Sequence, residues 1–195
     1  VYSRREAHID LNKLARVARA RLIAGEVTHI DSEAQLLHLK DGRPPLPYDV
    51  CSINVGIAPS KPAAYVTPVK PIATFSVKWD ALLSRLDDDS SFRLVVVGGG
   101  AGGVELILAM VARVSSELRR RGRSLTCLSA TLVARSSELL QGHAVGVRRL
   151  LTEAVRRKGI RVLLSHEAIE TSSVNEEKIL KCRHEGRTVS IPFDE

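Results

Sequence analysis

Residues 94–105 constrain this chain more than any others. They read Leu94-Val95-Val96-Val97-Gly98-Gly99-Gly100-Ala101-Gly102-Gly103-Val104-Glu105. An apolar run leads into G-x-G-x-x-G at Gly98, Gly100 and Gly103, and then into a long apolar segment of helical character. Binding a dinucleotide asks for this order. Gly98 supplies a tight turn. Gly100 has no Cβ, so the backbone can approach a pyrophosphate. Gly103 lets the helix pack close to the strand, and the helix N-terminus offers free N–H groups and partial positive charge. A glycine loop of purely structural purpose is the other reading. The strand–turn–helix setting favours the nucleotide.

The flanking elements extend this unit. The spacing predicts a strand at Arg93–Val97, a helix from Gly102 to about Arg121 and a strand at 130–134. Val147, Leu150, Leu151, Ala154 and Val155 follow i, i+3, i+4, i+7, i+8, a second amphipathic helix that Gly159 ends. Ile160–Leu164 reads as a third strand. Strand–helix–strand–helix–strand implies a parallel sheet with right-handed crossovers. Residues 167–192 alternate short strands with turns at Val174–Glu177 and Glu185-Gly186, an antiparallel meander. The parallel sheet still wants a further strand.

Ahead of the glycine strand the pattern is less regular. Residues 10–21 predict a short helix with Asp10 as N-cap. Strands are expected at 21–30, where Val27 is β-prone, and at 35–40, before the turn Asp41-Gly42. Tyr48–Val55 reads as a nearly continuous apolar strand ending at Gly56. Pro59–Pro71 reads as an extended linker, 72–86 as a helix carrying Trp79, Leu82, Leu83 and Leu86, and Asp87–Ser91 as a polar break. The expected fold class is α/β: a Rossmann-like parallel sheet with an antiparallel meander over 72–195, plus part of a second domain over 1–71.

Composition narrows the function classes. Cys51, Cys127 and Cys182 lie far apart, so a redox dithiol or a zinc ribbon is disfavoured, and an intracellular reducing compartment fits best. The six histidines have no ligand spacing, and no metal is assigned. No apolar run approaches the ~18–20 residues of a membrane span, which leaves peripheral membrane contact open. The net charge of +7 gathers in Arg119–Arg123, Arg148-Arg149 and Arg156–Lys158. Nucleic acid is one reading. Solvated helix ends are the favoured one, because cations suit helix C-termini and few aromatics are present for base stacking.

Gly98–Glu105 resembles the NAD(P)H motif of the pyridine nucleotide-disulfide oxidoreductase superfamily, flavoproteins in which an NAD(P)H domain is inserted into an FAD domain. Tyr48-Asp49-Val50-Cys51-Ser52-Ile53-Asn54-Val55-Gly56 resembles the strand that leads back to the flavin, with Gly56-Ile57-Ala58-Pro59 after it. His8–Leu11, Gly98–Glu105 and Leu139-Leu140-Gln141-Gly142-His143 are similar to type II NADH dehydrogenases. They are more similar still to the flavoprotein domain fused ahead of selenide, water dikinase. The resemblance implies an FAD-dependent NAD(P)H oxidoreductase that passes hydride from nicotinamide to flavin, then electrons to a small acceptor such as a quinone. Without a cysteine pair, the disulfide-reductase branch is disfavoured. The alternatives are the flavoprotein domain of a selenophosphate synthetase fusion, with a fused kinase domain as partner, and a nucleotide-binding domain without turnover.

Two departures qualify the resemblance. The chain starts at Val1 and lacks the flavin glycine motif expected before it, so it reads as a fragment that binds little FAD and is inactive in isolation. The strand 130–134 also ends at Ala134, where NAD binders carry an acid for the ribose 2′-OH. Arg135 follows, then Ser136 and Ser137. An arginine there suits a 2′-phosphate, with the serines as extra donors, so NADPH is favoured over NADH; an Arg135 that is merely exposed, or degenerate binding, is the other reading. The candidate cofactor-binding residues are Gly98, Gly99, Gly100, Ala101, Gly102, Gly103, Glu105, Arg135 and Ser136, with Val27 and Gly56 added from the first part of the chain. Glu105 lies near the nicotinamide ribose in the resembling family; it also reads as a first-turn acid favouring the helix dipole.

Overall fold

The computed structural model describes residues 9–56, 64–70, 72–84, 86 and 91–195. The chain divides into two compact units, Val1–Ile57 and Ala58–Glu195.

In the first unit, α1 spans Leu11–Val17. Asp10 caps it, its carboxylate accepting from Asn12 N at 3.0 Å and Lys13 N at 3.4 Å. The helix stops short of the expected residue 21 because Arg19 turns to φ +51°. β1 (Val27–Asp31), β2 (Leu36–Leu39) and β3 (Leu46–Pro47) form an antiparallel sheet in that order. Asp31 closes the β1–β2 turn by accepting from Glu33 N and Ala34 N. Two expected strands differ. Residues 21–26 are irregular, so β1 is shorter than foreseen. Residues 48–56 form no strand, because no strand among the described residues pairs with them. An apolar run without a hydrogen-bonding neighbour has no ladder to join.

In the second unit, α2 (Ile72–Ser84) precedes β4 (Phe92–Val97), α3 (Ala101–Arg120), β5 (Leu128–Val133), α4 (Val145–Arg157) and β6 (Arg161–Leu163). β4, β5 and β6 are parallel in that order, with Leu94 opposite Ala130 and Val133 opposite Leu163. Then come β7 (Glu167–Val174), β8 (Glu177–His184) and β9 (Arg187–Phe193), an antiparallel meander. Both its turns place two residues at positive φ, Asn175-Glu176 and Glu185-Gly186. That twist matches the flanking strands. The expected linker falls partly outside the described residues, as do residues 87–90 of the polar break.

The parallel sheet is covered on both faces. Leu94, Val96, Ala130 and Leu132 pack against Val104, Ile107 and Val111 of α3 and Val155 of α4. Val95, Val133 and Leu163 face Leu180, Cys182, Ile191 and Phe193 of the meander. Successive strand residues alternate between the two layers. After β9 the chain returns to β4: Asp194 N donates to Arg93 O at 2.9 Å, and Val95 N donates to Glu195 O at 2.7 Å. Gly98 N bonds Val133 O on the β5 side. Residues 93 and 95, odd where 98 is even, point to the opposite edge. Residues 194–195 therefore lie along the β4 edge that β5 does not use, where the sequence asks for one more strand. Arg93 fixes them, its guanidinium held by Asp194 at 2.8 Å and Glu177 at 2.6 Å.

Candidate functional site

The glycine turn joins the carboxyl end of β4 to the N-terminus of α3, and each glycine has a separate physical reason. Gly98 sits at φ +134°, a backbone region that L side chains avoid. A Cβ on Gly103 would lie 1.9 Å from Gly98 O, so α3 crosses the turn in near contact. A Cβ on Gly99 would lie 2.6 Å from the Ala134 Cβ and 3.3 Å from Leu139 Cδ2. Gly100 and Gly102 meet nothing within 4 Å. Gly99 and Gly103 thus face protein, and Gly100 and Gly102 face open space. Gly100 is the N-cap of α3 and offers no side-chain cap, so the first helical N–H groups are without a side-chain acceptor there. An open, uncapped helix N-terminus behind a strand fits an anionic diphosphate.

Ala101 is the first residue of α3 and is half-buried against the core. Glu105 is exposed and is the fifth residue of the helix, so it lies beyond the first turn. The expected first-turn dipole role does not apply at that depth, since the dipole effect fades within one turn. Glu105 has no ion-pair partner among the described residues, which leaves its carboxylate free for a ligand.

The loop after β5 forms the other wall. Leu140 N donates to Gly99 O at 2.8 Å, fastening this loop to the glycine turn. The Leu139–His143 segment, noted above only for its resemblance, therefore holds the site together. Ser136 Oγ donates to Glu138 O at 2.6 Å, so its proton is engaged within the loop and a lone pair remains. Glu138 pairs with Arg148 of α4. Arg135, just beyond the carboxyl end of β5, is exposed and has no partner among the described residues. The structure thus brings together Gly98–Gly103, Arg135 and Ser136. Val27 and Gly56 belong to the other unit. Val27 pairs with Leu39 across β1 and β2, and Gly56 sits at φ +75°.

Several other arginines are engaged. Arg120 and Arg121 share buried Glu117, and Arg121 also donates to Leu83 O at 2.9 Å and Leu86 O at 2.5 Å. Arg156 and Arg157 share Glu153. These clusters tie down helix ends. Among the described residues no His/Cys/Asp/Glu group could hold a metal, and no helix is long and apolar enough to cross a membrane. The three cysteines are unpaired, and burial pushes the Cys182 thiol up from its ordinary range.

A family model described as pyridine nucleotide-disulphide oxidoreductase matches residues 3–194. No curated protein matches the chain. Among solved structures, an FAD-dependent pyridine nucleotide-disulphide oxidoreductase from Desulfovibrio vulgaris is similar at 18% identity and a TM-score of 0.50, over 90% of this chain and 43% of that one. The covalent putidaredoxin reductase–putidaredoxin complex is similar at 16% identity and a TM-score of 0.65, over 99% of this chain and 44% of that one. At these identities the likeness is one of fold. The chain spans less than half the length of either structure.

Proposed function

The chain belongs to the pyridine nucleotide-disulphide oxidoreductase family, and from that premise we propose that its second unit binds NADPH and presents the nicotinamide to a flavin for hydride transfer. The observation that carries this is the division of labour in the glycine turn. Gly99 and Gly103 are glycines because protein occupies the space a Cβ would need. Gly100 is open, beside an uncapped helix N-terminus. A purely structural loop would give no reason for an open glycine at the helix mouth.

In this reading the N–H groups at the start of α3 bind the diphosphate. Arg135 pairs with the 2′-phosphate, a bidentate contact that guanidinium geometry suits. Ser136 stands beside it with its proton already given to Glu138 O, so the donor role expected of it is not free, and Glu105 orients the nicotinamide ribose. When bound, the nicotinamide supplies the hydride chemistry. Family membership implies a flavin as well. Residues 9–56 contribute a small antiparallel sheet and the turn at Gly56, with no second strand–glycine–helix turn among the described residues. The residues described fit a nicotinamide dinucleotide and do not by themselves cradle a flavin, so no step is derived through one. The electron acceptor is taken to be a small molecule or a small redox protein. The putidaredoxin complex gives that second option a structural precedent in a protein of similar fold.

The test compares NADPH and NADH affinity in the wild-type chain and in Arg135→Glu. The wild type is expected to favour NADPH, and the variant to shift toward NADH by about tenfold or more, a charge reversal beside a phosphate. An unchanged ratio sinks the 2′-phosphate assignment. Weak binding of both cofactors by the wild type sinks the whole reading.

A further inference from the structure

Two imidazoles stand beside this site and have no part in the function just described. His166 follows β6 and His184 ends β8; their rings stack 4.0 Å apart with planes 9° from parallel. Register explains the pairing. Glu167 lies opposite Arg183 and Ala168 opposite Cys182, so His166 and His184 make up the next rung of that ladder. Leu180 and Cys182 share the His184 face of β8, by two-residue alternation, and are buried against Val133 and Leu163 of the parallel sheet. His184 continues that face past the carboxyl rim of the sheet. Backbone bonds fix the place: His166 N donates to Ala134 O and Ser165 N to Ser136 O, each at 2.9 Å. Those two acceptors flank Arg135. The imidazole pair and the Arg135 loop therefore share the carboxyl end of β5 and β6, where a parallel α/β sheet takes its ligand.

The rings are poised in one tautomer. His166 Nδ1 lies 2.6 Å from Leu164 O, and His184 Nδ1 lies 3.1 Å from Ser165 O. A carbonyl only accepts, so each Nδ1 carries the hydrogen. Each neutral ring then has Nε2 as a bare acceptor, and a proton taken up there converts it to a charged donor. Neither Nε2 has a partner among the described residues. The charged neighbours are Arg135 and Glu138 on the loop after β5, and Glu167 and Arg183, paired to each other at 3.5 Å across β7 and β8. Glu185 in the next turn and Arg187, opposite His184 on β9, complete them.

We propose that His166 and His184 form a proton-gated reader of the adenosine 2′-phosphate, acting beside Arg135. This rests on the NADPH reading above. The proton comes from solvent, binds Nε2 and donates to the phosphate; no other bond changes.

The test uses the 195-residue chain with 2′,5′-ADP and 5′-AMP, which differ only in the 2′-phosphate, as probes. At about pH 8 Arg135 alone gives 2′,5′-ADP its advantage, and the lack of one there overturns the NADPH reading itself. Between about pH 8 and pH 6 that advantage is expected to rise about tenfold, the effect of one added charge near the phosphate. It is expected not to rise in His166→Gln or His184→Gln. A flat advantage in the wild type, or the same rise in both variants, overturns the role of the imidazoles. Calorimetry in two buffers of different ionisation enthalpy needs no variant. Pairing with Arg135 alone favours the dianion and releases protons on binding, whereas the imidazole pair takes them up. Net uptake with 2′,5′-ADP beyond that with 5′-AMP supports the proposal; release overturns it.

Discussion

In Ala58–Glu195 a broad set of apolar side chains is fully buried. Leu94, Val104, Ile107, Leu132, Val133 and Val155 are at most 1% exposed, shared between the two faces of one parallel sheet. In Val1–Ile57, Leu39 is the one buried apolar residue among the described positions, while Val50, Ile53 and Val55 are 89%, 65% and 88% exposed. The two stretches are similar in apolar character but differ in layering. A sheet with helices on one face and a meander on the other lets its strands bury side chains on both faces. The three-stranded sheet of the first unit has no second layer among the unit's described residues and buries far less. Stability is therefore concentrated in the second unit, and the glycine turn inherits its rigidity from there.

The largest expected effects test that contrast directly. Leu132→Ala empties a fully buried position between α3 and the sheet, and should cost about 2–5 kcal/mol in urea denaturation. Ile53→Ala removes the same three carbons, yet it should stay within about 0.5 kcal/mol because the side chain is already in water. Comparable losses at the two positions would break the comparison, since Ile53 would then be buried against something in solution.

Two glycines sharpen it at the next level. Gly103→Ala drives a Cβ into the Gly98 carbonyl oxygen, a backbone atom that no rotamer change can move aside. The turn must shift, at an expected cost of about 1–3 kcal/mol together with loss of nicotinamide dinucleotide affinity. Gly42→Ala in the first unit meets no atom within 4 Å and bears only the strain of φ +77°, about 1 kcal/mol. Thermal unfolding ranks the two. A tolerated Gly103→Ala would mean that α3 does not press on the turn.

The same contrast explains what could be read from sequence. Gly98–Gly103, the amphipathic helix at Val147–Val155 and the two meander turns are local patterns that local sterics enforce, and they were legible. The strand expected at 48–55 was not, because an apolar run becomes a strand only when another strand accepts its hydrogen bonds, and that partner is not a local property. Gly99 could be marked as a site glycine, but its cause, Ala134 and Leu139 arriving from beyond β5, is tertiary. The stacked His166 and His184 lie 18 positions apart, and only the β7–β8 register reveals them. Glu117 carried no signal at all, since acids at i−3 and i−4 from arginines are common on solvated helices.

Glu117 yields the smallest effect and the one most specific to the second unit. It is buried near the end of α3, 2.6 Å from the Arg120 guanidinium and 2.8 Å from that of Arg121. Arg120 first, then Arg121, hold its carboxyl down at about 2, from an ordinary 4.5. Arg121 in turn donates to the carbonyls of Leu83 and Leu86, so the ion pair fastens the end of α2 to the end of α3. A folded-state value below the unfolded one means stabilisation that is complete above about 4.5 and fades as the pH falls toward 2. Asp41 in the first unit is also held below the carboxylate range by Arg43, but on an open surface where water competes for both partners. Melting temperatures of the wild type and Glu117→Gln should therefore differ at neutral pH and converge on acidification through that window, while Asp41→Asn tracks the wild type throughout. Parallel curves for Glu117→Gln, or an equal effect at Asp41, would show that the acid-sensitive contacts are spread over both units rather than concentrated where the core is.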